Sequence, residues 1–228
     1  MNRIKILVKE LISSAIISLL VLVSGFAYFE PNILGAITDE HTIKQIVTAE
    51  ISFVSAPADV TMDTSLAGIT GGTSNGQTQF RILSNNTTGF SVTINSASDN
   101  GMEGEETTGV IPYLIPASPG VPDYAFSSAP ANSAAFAYSV NASTTGEITT
   151  PFRNNGVDTC GTGATETDAN CWLDATTTTF SIINRSTATD ASGATSTLFY
   201  RAIISANPAP AIPEDTYTST TTLTATNN

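Results

Sequence analysis

With 228 residues and 20 acidic side chains against 8 basic ones, the chain has room for one generous all-β domain. Its surface repels phosphate backbones, which excludes nucleic acid as a natural partner. Threonine, serine, alanine, glycine and asparagine dominate while charge is sparse, a composition that fits a secreted β-protein better than a cytosolic enzyme.

The chain opens on "MNRIKILVKE", with Arg3, Lys5 and Lys9, followed by an uncharged run from Leu11 to Ala27. A basic start, an apolar stretch and small residues at Gly25 and Ala27 make residues 1–27 an export signal with cleavage before Tyr28. The apolar run is close to the roughly 20 residues that span a bilayer, so an uncleaved anchor helix is the alternative, and the membrane is a partner only in that case. Residues 28–42, with Pro31 and Gly35 and no sustained period, read as a leader or linker.

From residue 43 to 228 the sequence alternates as strands do. Val47, Ala49, Ile51 and Phe53 share one face of the first, and Val60, Met62 and Leu66 are in phase in the next segment. "GGTSNG" reads as a turn. "QTQFRILS" and "FSVTINS" place Phe80 and Ile82, then Phe90, Val92 and Ile94, inward, and with "NNTTG" between them they read as a hairpin. Residues 97–133 form a long irregular excursion whose prolines exclude central strands, with a short edge strand at Val110 to Leu114. "AAFAYSVNA" restores the alternation through Phe136, Tyr138 and Val140.

A second excursion, 141–175, holds Cys160 and Cys171 in a Gly/Thr/Asp-rich stretch unsuited to packing a core. Zinc would require further Cys or His ligands, and a thioredoxin-like site would require two intervening residues. The pair therefore reads as a structural disulfide, which agrees with export. "TTTTFSIIN" and "STLFYRAIIS" are two further strands. The chain closes on "TYTSTTTLTATNN", where Thr218, Thr220, Thr222, Thr224 and Thr226 occupy one face of a single strand and Tyr217, Leu223 and Ala225 the core-facing side. Eight or nine short strands without helical spacing predict one antiparallel β-sandwich, of immunoglobulin-like, Greek-key or jelly-roll type, with long irregular insertions.

Catalytic chemistry finds little support. The single histidine, His41, precedes the first strand, and no nucleophile elbow, phosphate loop, metalloprotease or dinucleotide motif is present. No catalytic, cofactor-binding or metal residue is assigned. Calcium is the ligand best suited to "DNGMEGEE", through Asp99, Glu103, Glu105 and Glu106, against the plainer reading of a solvated acidic loop. Lys44 is the one lysine available after the leader for an internal Lys–Asn isopeptide bond.

"TGFSVTINS" after a turn resembles a strand of WxL-type cell-wall domains. "PEDTYTSTTTLTAT" is similar to their last strand and to that of fimbrial and spore-coat subunits. "FAYFE" resembles the signal junction of camelysin-like fibre proteins. The Trp-x-Leu signature itself is missing, since Trp172-Leu173 adjoins Cys171. The resemblance implies a bacterial, wall-associated or fibre-forming surface protein. The expected function is structural and extracellular, through self-association or contact with other surface proteins or wall glycan. In a fibre, the leader 28–42 is expected to leave its own subunit and fill a groove in the next. An adhesin for glycan or protein is the alternative, which exposed Tyr113, Tyr124 and Trp172 would favour, and an exported hydrolase comes third.

Overall fold

The computed structural model describes residues 9–15, 18, 40–144 and 146–228. These fall in two units, Met1–Ile46 and Val47–Asn228. In the first, residues 9–15 are helical and residues 40–46 carry no regular structure. Most of the signal or anchor segment 1–27 and of the leader 28–42 lies outside the described residues. Among the described residues no helix is long and apolar enough to cross a membrane.

The second unit is mostly β, in three antiparallel sheets. Its strands are β1 (Ile51–Ser55), β2 (Gly72–Ser84), β3 (Phe90–Ser96), β4 (Met102–Gly104), β5 (Val110–Ile111), β6 (Ala134–Ala142), β7 (Phe180–Arg185), β8 (Ala194–Ile204), β9 (Tyr217–Thr218) and β10 (Thr221–Asn227). One sheet has the order β1-β2-β8-β6, another β10-β3-β7, and a small one β5-β4-β9. Both larger sheets turn one face to a common apolar cluster. The first contributes Phe80, Ile82, Phe136, Tyr138, Val140 and Leu198, the second Phe90, Val92, Ile94 and Ile183. Successive strand residues point to opposite faces, so the alternation in the sequence becomes this shared interior.

Four local readings change. "QTQFRILS" and "FSVTINS" do not pair: β2 lies between β1 and β8, whereas β3 lies between β10 and β7. Alternation specifies which face is buried and leaves open whether two strands sit side by side or opposite each other across a core. Of "GGTSNG", Gly71 closes a turn with Ala67, but the remaining five residues are the start of β2. Its inward positions Ser74 and Thr78 are polar because they hold the irregular segment 56–66, donors there being the Thr64 amide at 3.0 Å and the Ala58 amide at 2.9 Å. Gly76 lies between them, where a Cβ would sit 2.5 Å from Val60 Cγ1 and 2.9 Å from Met62 Sδ. Val60, Met62 and Leu66 do reach the core, but from this covering segment rather than from a strand.

The first strand begins only at Ile51; Ile43, Ile46 and Val47 are exposed. β2 stops at Ser84, and beyond it only Asn85 holds the incoming chain, through bonds involving Glu50 and the Thr48 carbonyl. The last strand divides. β9 pairs with β4, and β10 pairs with β3. The side-chain alternation runs on through the break, with Thr218, Thr220, Thr222, Thr224 and Thr226 exposed and Tyr217, Ser219, Thr221, Leu223 and Ala225 half-buried.

The excursions are structural rather than peripheral. Within 97–133, β4 and β5 form and Val110–Ile111 is the only strand in the stretch predicted to reach Leu114. Residues 112–114 continue as a backbone pairing with Phe136, the Leu114 amide donating to its carbonyl at 2.8 Å and the Phe136 amide donating to the Pro112 carbonyl at 2.7 Å. From 141–175, Ile148, Phe152, Cys171, Trp172 and Leu173 are all buried, and the burial of Cys171 and Trp172 corrects the expectation that the Gly/Thr/Asp-rich stretch around the cysteines packs no core. Asn154 makes this possible. Its fully buried side-chain carbonyl accepts from the Gly156 amide at 2.9 Å and the Thr167 hydroxyl at 3.0 Å, folding the polar loop on itself.

Candidate functional site

Cys160 and Cys171 are joined, their Cα atoms 5.7 Å apart. Cys171 is buried and Cys160 half-buried, so the bridge pins the polar loop to the core at its second end. The four acids proposed for calcium go to different partners. Asp99 accepts from the Thr177 amide and hydroxyl at 2.7 and 3.0 Å. Glu103 accepts from Asn100 at 2.5 Å and Ser98 at 2.8 Å, while Glu105 and Glu106 are exposed. Among the described residues no three His, Cys, Asp or Glu side chains converge as a metal site. His41 and Lys44 are both exposed.

The aromatics expected on a contact surface are mostly inside. Trp172 and Tyr113 are buried, and Tyr124 is half-buried against the core. Trp172 packs on Phe126 at 5.9 Å between ring centres and carries the Arg201 guanidinium 4.5 Å over its ring. Tyr113 donates to Ser96 Oγ at 2.6 Å and bonds Ser219 Oγ at 3.1 Å, tying the first excursion to β3 and the last segment.

The feature that sequence reasoning did not locate is a groove along one side of the second unit. One recess, about 470 Å³, is lined by Ala58, Val60, Thr78, Leu198, Tyr200 and Leu223. A second, about 650 Å³, is lined by Leu66, Ser74, Ala202, Ile204, Ile212 and Pro213. Both include Met62, Met102 and Tyr217, so they form one furrow with these three side chains at its waist. Its floor follows β8 from Leu198 to Ile204; the covering segment 56–69 forms one wall and residues 212–223 the other.

The second wall ends in an open strand edge. Among the described residues, β10 is hydrogen-bonded to β3 on one side and to no strand on the other, although β1 comes near it. The Ala97 amide donates to the Thr220 carbonyl at 2.9 Å, which sets the phase of the ladder. Antiparallel pairing then directs the backbone groups of Thr222, Thr224 and Thr226 to β3 and those of Thr221, Leu223 and Ala225 to the open side. Such an edge is a template for a further strand.

Asp215 stabilises the mouth of the groove. Its carboxylate accepts from the Thr107 hydroxyl and amide, both at 2.7 Å, and from the Glu106 amide at 3.1 Å. The Thr107 hydroxyl first, then these amides, hold it below the usual carboxylate range. On the far side Asp63 is lowered likewise, chiefly by the Asn75 amide at 2.8 Å. Both walls are therefore anchored by ionised carboxylates bonded to backbone donors.

No family model, curated protein or solved structure matches the chain. Its geometry carries the functional reading. The groups that line the furrow are mostly apolar side chains and hydroxyls, with the carboxylates of Asp59, Glu214 and Asp215 among them.

Proposed function

We propose that the protein is an exported, non-catalytic structural subunit of the cell surface, which assembles by strand pairing. In this reading the two larger sheets form a β-sandwich and residues 1–27 direct the chain out of the cell. The observation that carries it is the open edge of β10 beside a furrow floored by the inner face of the opposite sheet. An added strand there gains backbone hydrogen bonds along the edge and burial for every second side chain. The resemblance of the strand phrases to wall-associated and fibre-forming proteins points the same way, as does the disulfide, which suits an oxidising compartment.

Sedimentation and electron microscopy of the exported full-length protein test the reading. The wild type should form oligomers or filaments. Ala225→Pro removes an edge-facing amide without breaking a bond to β3, so it should keep the circular-dichroism spectrum of a folded protein and lose assembly. A wild type that stays monomeric at all concentrations contradicts the proposal.

A further inference from the structure

The groove has room for an added strand, and the chain itself contains a strand-forming segment without regular structure, held at Thr48 by Asn85. Residues 43–49, "IKQIVTA", precede β1 and carry no regular structure, yet Ile43, Ile46 and Val47 are 86%, 70% and 80% exposed. Ile43 and Val47 lie on one face of the extended chain, so a groove that took that face would cover two large β-branched side chains now in water. In an extended chain Ile43, Val47 and Ala49 share one face, the same alternation that β1 continues into its own core through Ile51 and Phe53.

Length and charge both fit. The seven residues 43–49, as a strand, span about 20 Å from first to last, the same as the seven residues of the groove floor from Leu198 to Ile204. Acidic side chains stand at both ends of the furrow, Asp59 in one recess and Glu214 with Asp215 in the other. Lys44, the only lysine after residue 27, lies within the segment. Lys44 shares the outward side with position 46, so its ammonium lies at the rim of the furrow and not against its floor.

Direction of the chain separates donation from self-occupancy. β1 runs from Ile51 opposite Ser84 to Ser55 opposite Arg81, toward the Thr78 end of the groove. Residues 47–50 therefore leave β1 in the opposite sense, and Asn85 holds them beyond the end of β2. To enter its own groove, the chain at residues 47–49 would have to reverse and travel back past the whole of β1. A neighbouring molecule's groove requires no reversal.

We infer that residues 43–49 of one copy supply the strand that lies in the groove and pairs with β10 of another copy. This rests on the reading of the groove as the assembly site, and the donor is then the segment immediately before β1 rather than the leader 28–42.

A benzophenone amino acid at position 46 of the full chain tests it. That position faces away from Val47 and so points outward once the strand is seated. Isotopically heavy and light proteins are mixed before assembly, irradiated, and their cross-linked peptides identified by mass spectrometry. Heavy–light peptides joining position 46 to residues 217–226 are expected. Heavy–light peptides to any other surface, or β10-to-β10 association without position 46, overturn the inference and leave self-assembly standing. Cross-links confined to chains of one isotope place the segment in its own groove and also overturn it. Val47→Asp should lower the assembled fraction by more than about tenfold, because a carboxylate would be buried without a partner, while the circular-dichroism spectrum stays unchanged. Assembly at the wild-type level in that variant refutes donation. If the unmodified wild type does not assemble at all, the functional proposal itself fails, and sedimentation shows this before any cross-link is sought.

Discussion

Two edge strands of the β-rich unit, β6 and β10, are treated in opposite ways. At β6, Tyr138 exchanges backbone bonds with Leu173, both at 2.9 Å, and Phe136 pairs with the segment from Pro112 to Leu114. Both faces of β6 are covered as well: Phe136, Tyr138 and Val140 belong to the main cluster, Ala135 and Ala137 to a second one with Leu114, Phe126 and Trp172. β10 has one solvated threonine face and one open edge. The irregular insertions thus close the edge of β6 and leave that of β10 without a hydrogen-bonded strand. An exposed edge is a liability that natural β-proteins cover or charge, and this chain, which spends two long excursions on covering β6, leaves β10 flanked by uncharged threonines. That asymmetry is what makes the edge of β10 a candidate site rather than an ordinary sheet boundary.

The capped edge should be the more fragile of the two regions under substitution. Trp172→Ala removes the largest buried side chain of the second cluster and the ring beneath Arg201, and should cost about 3–5 kcal/mol in urea denaturation. A loss below about 1 kcal/mol would mean that the cap is peripheral, and the contrast between the edges would weaken. Cys160→Ala with Cys171→Ala releases the loop that delivers Trp172 and should cost about 2–3 kcal/mol, mainly by freeing the unfolded chain. Intact mass of the exported protein should rise by two hydrogens on reduction; two free thiols in that material contradict the bridge. The smallest effect concerns the mouth of the open groove. Asp215 is lowered by its partners, so in the folded state it holds its charge below the ordinary carboxylate value of 3.8. Its contribution is complete above that value and is lost as pH falls through the folded value. Asp215→Asn should accordingly lower the melting temperature at pH 7, and the difference from wild type should shrink steadily below pH 3.8. A difference independent of pH would assign the effect to packing instead.

Much of the strand content is legible in the residue pattern alone. Phe80, Ile82, Phe90, Val92, Ile94, Phe136, Tyr138 and Val140 are buried where alternation places them. The exposed threonine face of the last segment is legible for the same reason. Side-chain direction in a strand is a local property of the backbone, and a period of two in the sequence records it. "GGTSNG" misleads because its inward positions face a hydrogen-bonded covering segment, and glycine and serine there resemble turn chemistry. Trp172 and Cys171 mislead because their burial follows from Asn154 organising a distant part of the loop, a contact with no local period.

The sequence by itself determined that the chain is β-rich, which faces of its main strands are buried, that its last segment has one wet side, and that Cys160 and Cys171 are available to each other. Tertiary structure alone decided which strands are neighbours, that "NNTTG" passes between sheets, that the final strand divides between two of them, and that β6 is capped while β10 is open. Partner choice depends on backbone groups, which are the same at every residue. Side-chain pattern therefore specifies a strand's faces, and only the assembled fold specifies its edges.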